Sequence, residues 1–316
     1  MSLRNVTIIC LKLGLSAGLI WFAFSKLDAH DALQLISVLP VSAAAIGLAL
    51  LFFEFGLIAI RLRTLLAAIG PRLRYGLAFD AVLIGAFFSQ TLISFVGGDA
   101  MRIWRMTRNK TAVGDAARAV LYDRVFGFIG LVVLIAIGFP VLLKIVPDVR
   151  IHIAILLFIA ASVGGCILLL SLHLAPASLR RRRLFAFAAR ISEMGHDLLR
   201  SPRSLVLLLA ISVVVQSLNV LAIFIVAKGL HVALELSMCL VLIPPVMFLS
   251  MMPISFAGWG VREGAMVAAL ATIGVPASEA LALSISYGLG LILVSLPGGA
   301  LWLLARRPHP SESSTT

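Results

Sequence analysis

The sequence predicts an all-α fold: a polytopic transmembrane helical bundle with two broken, re-entrant hairpins that form a candidate inverted repeat. Three observations predict it. Hydrophobic residues fill 61% of the 316 positions and charged residues 13%, against about 45–50% and about 25% in a soluble domain. Several apolar runs reach the ~20 residues that a helix needs to cross hydrocarbon. Two of the apolar stretches are interrupted by glycines with charges beside them, at Gly97-Gly98 and at Gly258-Trp259-Gly260.

Seven stretches read as spans: 6–24, 39–60, 125–146, 151–174, 205–227, 236–252 and 280–304. The first carries Lys12 and is followed by no small-residue cleavage site, so it reads as a retained span. Two further stretches, 77–96 and 264–278, fit a single crossing less well. The former holds Asp80, Ser89 and Gln90, and the latter is short for a crossing. Residues 1–305 therefore form one membrane domain, with 306–316 a short disordered cytoplasmic tail.

Net charge is +12, from 26 Lys plus Arg against 14 Asp plus Glu. In a soluble protein this would suggest nucleic acid as a partner. Here the bases lie in short loops between apolar runs, which points to positive-inside topology and anionic headgroups, with no nucleic acid. Arg61 to Arg74, 97–124, 175–203 and Arg306-Arg307 are the basic segments. Placing them on one side makes both termini cytoplasmic. The stretch 77–96 then lies between two cytoplasmic loops and must enter and return. The same reasoning makes Met252 to Glu263 the tip of a second hairpin from the opposite face.

The two tips resemble each other. Ser94-Phe95-Val96-Gly97 reappears as Ser255-Phe256-Ala257-Gly258, each followed by an arginine, Arg102 or Arg262, with Asp99 or Glu263 nearby. Such paired broken elements mark many transporters; a chance match in a chain rich in these residue types is the alternative. Broken backbone at membrane depth survives only inside protein or against water. Gly97, Gly98, Gly258 and Gly260 allow sharp turns and close approach of a ligand to backbone. A helix is expected to start at Asp99, with that carboxylate as its cap.

Arg102, Arg105 and Arg108 recur every third residue and share a helix face, beside Trp104. They suit either a phospholipid headgroup or simple anchoring to anionic lipid. Arg262 and Glu263 are the only charges between Glu235 and Glu279, so they are either a functional site or a salt bridge that pins the broken helix. Glu54 is a lone carboxylate inside a span, seven residues before Arg61. It is a candidate proton carrier or charge-balancing group, or a structural partner of an arginine. Asp123 and Arg124 either lock a loop–span junction or pair with the arginine helix. Gln216 and Asn219 read as interhelical hydrogen-bond glue, and Pro297-Gly298-Gly299 as a kink or close-packing point.

Signatures of soluble enzymes are missing: there is no phosphate-binding glycine loop, no His-Glu-x-x-His and no Gly-x-Ser-x-Gly. Cys10, Cys166 and Cys239 have neither metal-ligand nor disulfide spacing. No catalytic residue, metal or cofactor is expected.

At Gly97-Gly98-Asp99-Ala100-Met101-Arg102-Ile103-Trp104, Asp123-Arg124 with Gly127, Pro253 through Gly264, and Pro297-Gly298-Gly299, the chain resembles the transmembrane region of lysylphosphatidylglycerol synthases and its stand-alone flippase-like relatives. The likeness runs over nearly the whole chain. It departs at Ala257, where relatives often have glycine, and in having no proline before Gly97. The resemblance implies an inner-membrane protein that moves an anionic or isoprenoid-type lipid between leaflets, with Gly97, Gly98, Asp99, Arg102, Arg105, Gly258, Gly260, Arg262 and Glu263 at the substrate. The tail from Pro308 to Thr316 is too short for the family's aminoacyl transferase domain, so aminoacyl transfer is not expected. The alternatives are a membrane subunit of phosphatidylglycerol lysylation or related lipid modification, or an integral-membrane transferase. Expected partners are membrane lipid, a lipid-biosynthesis enzyme or a second copy of the chain.

Overall fold

A computed structural model describes residues 34–91, 95–171, 174, 191–198, 200–252 and 258–305. Most of these residues are helical, with no strand among them. Among the described residues the nine long helices are α1 (Val41–Ile69), α2 (Tyr75–Thr91), α3 (Phe95–Thr107), α4 (Val113–Ile145), α5 (Val149–Ser171), α6 (Pro202–Gly229), α7 (Leu236–Met251), α8 (Val261–Ala271) and α9 (Ala277–Ala305).

Five of them, α1, α4, α5, α6 and α9, are long and apolar enough to cross a membrane. They coincide with five of the expected spans. The expected span 6–24 and the tail 306–316 lie outside the described residues. The expected span 236–252 is a sixteen-residue helix; at 1.5 Å per residue it reaches about 24 Å, short of ~30 Å of hydrocarbon. It works instead as half of a pair with α8, against which it packs.

Local sequence sets the helix ends. α1 begins after Pro40 and stops at Gly70, whose φ of 125° only glycine adopts readily and whose N–H donates to the Leu66 carbonyl. Pro140, Pro244, Pro245 and Pro297 all lie within helices. Neighbouring helices can re-satisfy the backbone groups that such prolines free.

The basic segment 97–124 holds more helix than the one expected from Asp99. α3 runs to Thr107 and α4 starts at Val113, twelve residues before the expected span. Charge marks where a helix leaves the hydrocarbon, not where it ends. Asp115 and Arg118 pair along the same face of α4, so the helix continues through polar surroundings.

α1 packs on α6, α4, α2 and α9, and α4 also packs on α6 and α7. The pair α2–α3 lies against α9, α1 and α4, and the pair α7–α8 against α4, α6 and α9. Inside this bundle the core is mainly Leu, Ile, Val and Ala, with Leu62, Leu66, Ile84, Ile223 and Ile243 fully buried beside Met266. α5 packs on α4 and touches α7 through the rings of Phe158 and Phe248, 4.4 Å apart. Its outer face exposes Ile153, Leu157, Ile167 and Leu168, each more than half exposed, as a lipid-facing helix does.

Candidate functional site

α2 and α3 are antiparallel, and three contacts fix their register. Gly98 lies against Ser89, Arg102 against Gly85, and Arg105 Nη2 2.7 Å from Asp80 Oδ2. Every pair converges on 92–94, outside the described residues. A Cβ on Gly98 would stand 2.5 Å from the Gly85 carbonyl oxygen, and a Cβ on Gly85 would stand 2.3 Å from Arg102 Cγ. Glycine at both positions lets the helices close up around the arginine.

This packing moves the helix start. Gly97 and Gly98 lie within α3, so Asp99 is an interior residue and not the expected cap. Close contact with α2 offsets the entropic cost of glycine in a helix. Asp99 instead accepts hydrogen bonds from Arg124 of α4, at 2.9–3.2 Å.

Arg102 and Arg61 share one carboxylate. Arg102 Nη2 lies 2.9 Å from Asp123 Oδ2, and Arg61 Nε donates to Asp123 Oδ1 at 2.6 Å. Arg61 Nη1 also donates to Ser212 Oγ at 3.1 Å. Asp123 thus joins α1, α3 and α4, and all three charges are buried. Removing any one leaves a buried charge uncompensated. Of the two readings of Asp123-Arg124, the structure realises pairing with the arginine helix.

α8 provides the second arginine. Gly258 and Gly260 have φ of 82° and 85°, the left-handed turn that their glycines allow. Glu263 accepts from the Gly260 N–H, closing the turn onto the first residues of α8. The same carboxylate holds Arg262 through contacts of 2.8 and 3.1 Å. Arg262 lies over the Trp259 ring at 4.6 Å and meets Ser284 Oγ at 3.3 Å. A Cβ on Gly288 of α9 would stand 2.1 Å from Arg262 Nη2. Each motif arginine therefore occupies a recess left by a glycine on the neighbouring helix.

A third group lies between them. Tyr287 OH donates to Asn219 Oδ1 at 2.5 Å, and Asn219 Nδ2 donates to Glu54 Oε2 at 2.5 Å. Among the described residues, Glu54 has no cation within ion-pair distance. Arg61, seven residues on along α1, turns to Asp123 instead. Gln216 serves as the expected glue, donating to the Gly127 carbonyl at 3.0 Å.

These groups surround one cavity of about 260 Å3. Glu54, Arg61, Arg102, Asp123, Arg124 and Arg262 all line it. Asp99 and Glu263 stand behind, as the partners of Arg124 and Arg262. Gly97, Gly98, Gly258 and Gly260 shape the pairs without forming the described wall. Arg105 is also outside that wall, tied to Asp80, while Arg108 stacks on Trp104 at 5.4 Å and donates to the Ala305 carbonyl. Ser94, Pro253, Ser255 and Ala257 lie outside the described residues, and with them most of the Ser-Phe-x-Gly likeness.

Sequence reasoning missed the parts supplied by distant helices: Gly85, Gly288, Ser284 and Tyr287, and the central place of Arg61. Isolated glycines in the apolar runs of α2 and α9 were the available signal. Among the described residues no cluster of His, Cys, Asp and Glu has metal-site geometry. The pair Gly298-Gly299 is a close-packing point, as one of the two readings held. A Cβ on Gly298 would stand 2.0 Å from the Leu83 carbonyl oxygen of α2.

The family model described as the lysylphosphatidylglycerol synthase TM region matches residues 9–298. No curated protein matches the chain.

Proposed function

We propose, from the premise that this chain belongs to the lysylphosphatidylglycerol synthase TM-region family, that it moves an anionic lipid between the leaflets of the bacterial inner membrane. One observation carries the reading: the two motif arginines, from separate helix pairs, line the same half-open cavity, where charged side chains sit in mostly apolar walls. A polar cavity at membrane depth lowers the cost of carrying a headgroup through hydrocarbon, which otherwise runs to several kcal/mol for a charge. Acyl or prenyl chains stay in lipid. Arg102 and Arg262 hold the headgroup while keeping their carboxylate partners.

In this reading α2–α3 and α7–α8 are re-entrant hairpins from opposite faces, with both termini cytoplasmic. Exposure of the cavity alternates as the pairs shift against α1, α4 and α9. The prolines of α7 and the glycine contacts of α2 supply surfaces able to repack.

The test is reconstitution into vesicles with fluorescent phosphatidylglycerol, its outer-leaflet fraction read by chemical quenching. Accelerated equilibration is expected, slowed at least tenfold by Arg102→Ala or Arg262→Ala. If the wild-type protein accelerates no anionic or isoprenoid lipid, the proposal fails. A modified lipid species found by mass spectrometry would instead assign the cavity to chemistry.

A further inference from the structure

With every carboxylate ionised, the cavity is balanced in charge before any substrate arrives. Four arginines, Arg61, Arg102, Arg124 and Arg262, are set against four carboxylates, Glu54, Asp99, Asp123 and Glu263. Three of the carboxylates are held by arginines, and those ion pairs also fix the helices. Glu54 differs. It is buried, lines the cavity and is held only by the neutral amide of Asn219.

An anion entering a neutral site whose charged groups are mostly buried leaves one uncompensated negative charge, which low-dielectric surroundings penalise. Displacing Asp99, Asp123 or Glu263 would break the contacts that hold the site together. Adding a proton to Glu54 costs no such contact: the protonated acid still accepts from Asn219 through its carbonyl oxygen. The cavity then carries a single positive charge, which matches one phosphodiester. Arg102 Nε, buried on the cavity wall and without a partner, is a donor ready for a phosphate oxygen.

We propose that Glu54 binds one proton together with each phosphodiester headgroup, so that lipid and proton occupy the site as a neutral pair. The step is a proton addition from water to the Glu54 carboxylate; no other bond forms or breaks. It rests on the lipid-moving reading above and adds its energetics: a proton gradient gives the movement a direction.

The groups around Glu54 agree with this role. Arg61 is on its own helix, α1; α3 contributes Arg102, α8 Arg262, and α4 Asp123 with Arg124. α6 presents the neutral Asn219 and Gln216, α9 the phenol of Tyr287, and α2 and α7 no titratable group on the cavity wall. The other carboxylates that serve the cavity are engaged in ion pairs, which leaves Glu54 as the group able to change charge.

The experiment is calorimetry of dihexanoyl-phosphatidylglycerol binding to the full chain in detergent. Buffers of differing ionisation enthalpy report protons taken up, from about pH 5 to about pH 9. The wild type is expected to take up about one proton per lipid on the alkaline side, its affinity falling ~tenfold per pH unit there. Glu54→Gln, fixed in the neutral form, is expected to bind with no proton uptake, a flat pH profile and higher alkaline affinity than the wild type. Wild-type binding without proton uptake at any pH overturns the coupling alone. So does a Glu54→Gln profile that keeps the wild-type slope. Absence of binding by both proteins overturns the coupling together with the anion site it rests on. The wild-type measurement decides the matter even if the variant fails to fold.

Discussion

The guanidinium of Arg262 lies where a side chain on Gly288 would have to be, with Nη2 2.1 Å from the position of a Cβ. α9 thus provides the recess that holds the only cation α8 contributes to the cavity. The relationship spans two helices and twenty-six residues of chain, and it makes Gly288 part of the site without offering it any chemistry.

Gly288→Ala is therefore expected to push Arg262 out of its contacts with Glu263 and Ser284. Lipid movement should fall at least tenfold, with a stability loss of about 1–3 kcal/mol from overpacking. Gly264→Ala, where a Cβ would meet nothing within 4 Å, is the control and should change neither. Vesicle assays and thermal unfolding in detergent read both effects. Equal behaviour of the two variants would remove Gly288 from the site.

Asp123→Asn is expected to be among the most damaging single changes. It leaves Arg61 and Arg102 buried without the carboxylate they share, at a cost of about 3–5 kcal/mol. Asp80→Asn breaks the partly exposed pair with Arg105 and should cost only about 0–1 kcal/mol. Denaturation midpoints compared between the variants test the ranking; a larger loss for Asp80→Asn would contradict it.

Tyr287→Phe removes the hydroxyl that donates to Asn219. The Asn219 oxygen then loses a buried partner, at about 1–3 kcal/mol, and the Asn219 amide becomes free to turn away from Glu54. The expected result is slower lipid movement with Arg102 and Arg262 still in place. Unchanged transport in Tyr287→Phe would show that the chain from Tyr287 to Glu54 has no part in it.

Gly298→Ala sets a methyl against the Leu83 backbone, which cannot yield as a flexible side chain can. α9 and α2 must separate, so loss of stability is expected to exceed that of Gly164→Ala or Gly165→Ala on α5, where a Cβ meets nothing. Unfolding in detergent decides it, and equal midpoints would count against tight α2–α9 packing.

Membrane helix positions are written locally. Length and apolarity of a run are enough for a span, because the bilayer imposes one thickness on every segment. The sequence by itself therefore marked α1, α4, α5, α6 and α9. It also singled out Arg102, Arg262, Glu54, Asp123 and Arg124, since a charge in an apolar stretch stands out without knowledge of its neighbours. Partner choice is a different matter. Arg61 lies seven residues from Glu54, yet Asp123, sixty-two positions on, takes it at 2.6 Å. Which helices touch decides which charges meet, and helix contact in a membrane is set by packing of small residues such as Gly85, Gly288 and Gly298. Only the tertiary structure could gather both motifs on one cavity, leave Glu54 as the carboxylate without an arginine, and place Arg105 outside the wall, because each of those outcomes depends on distances between helices that no stretch of sequence contains.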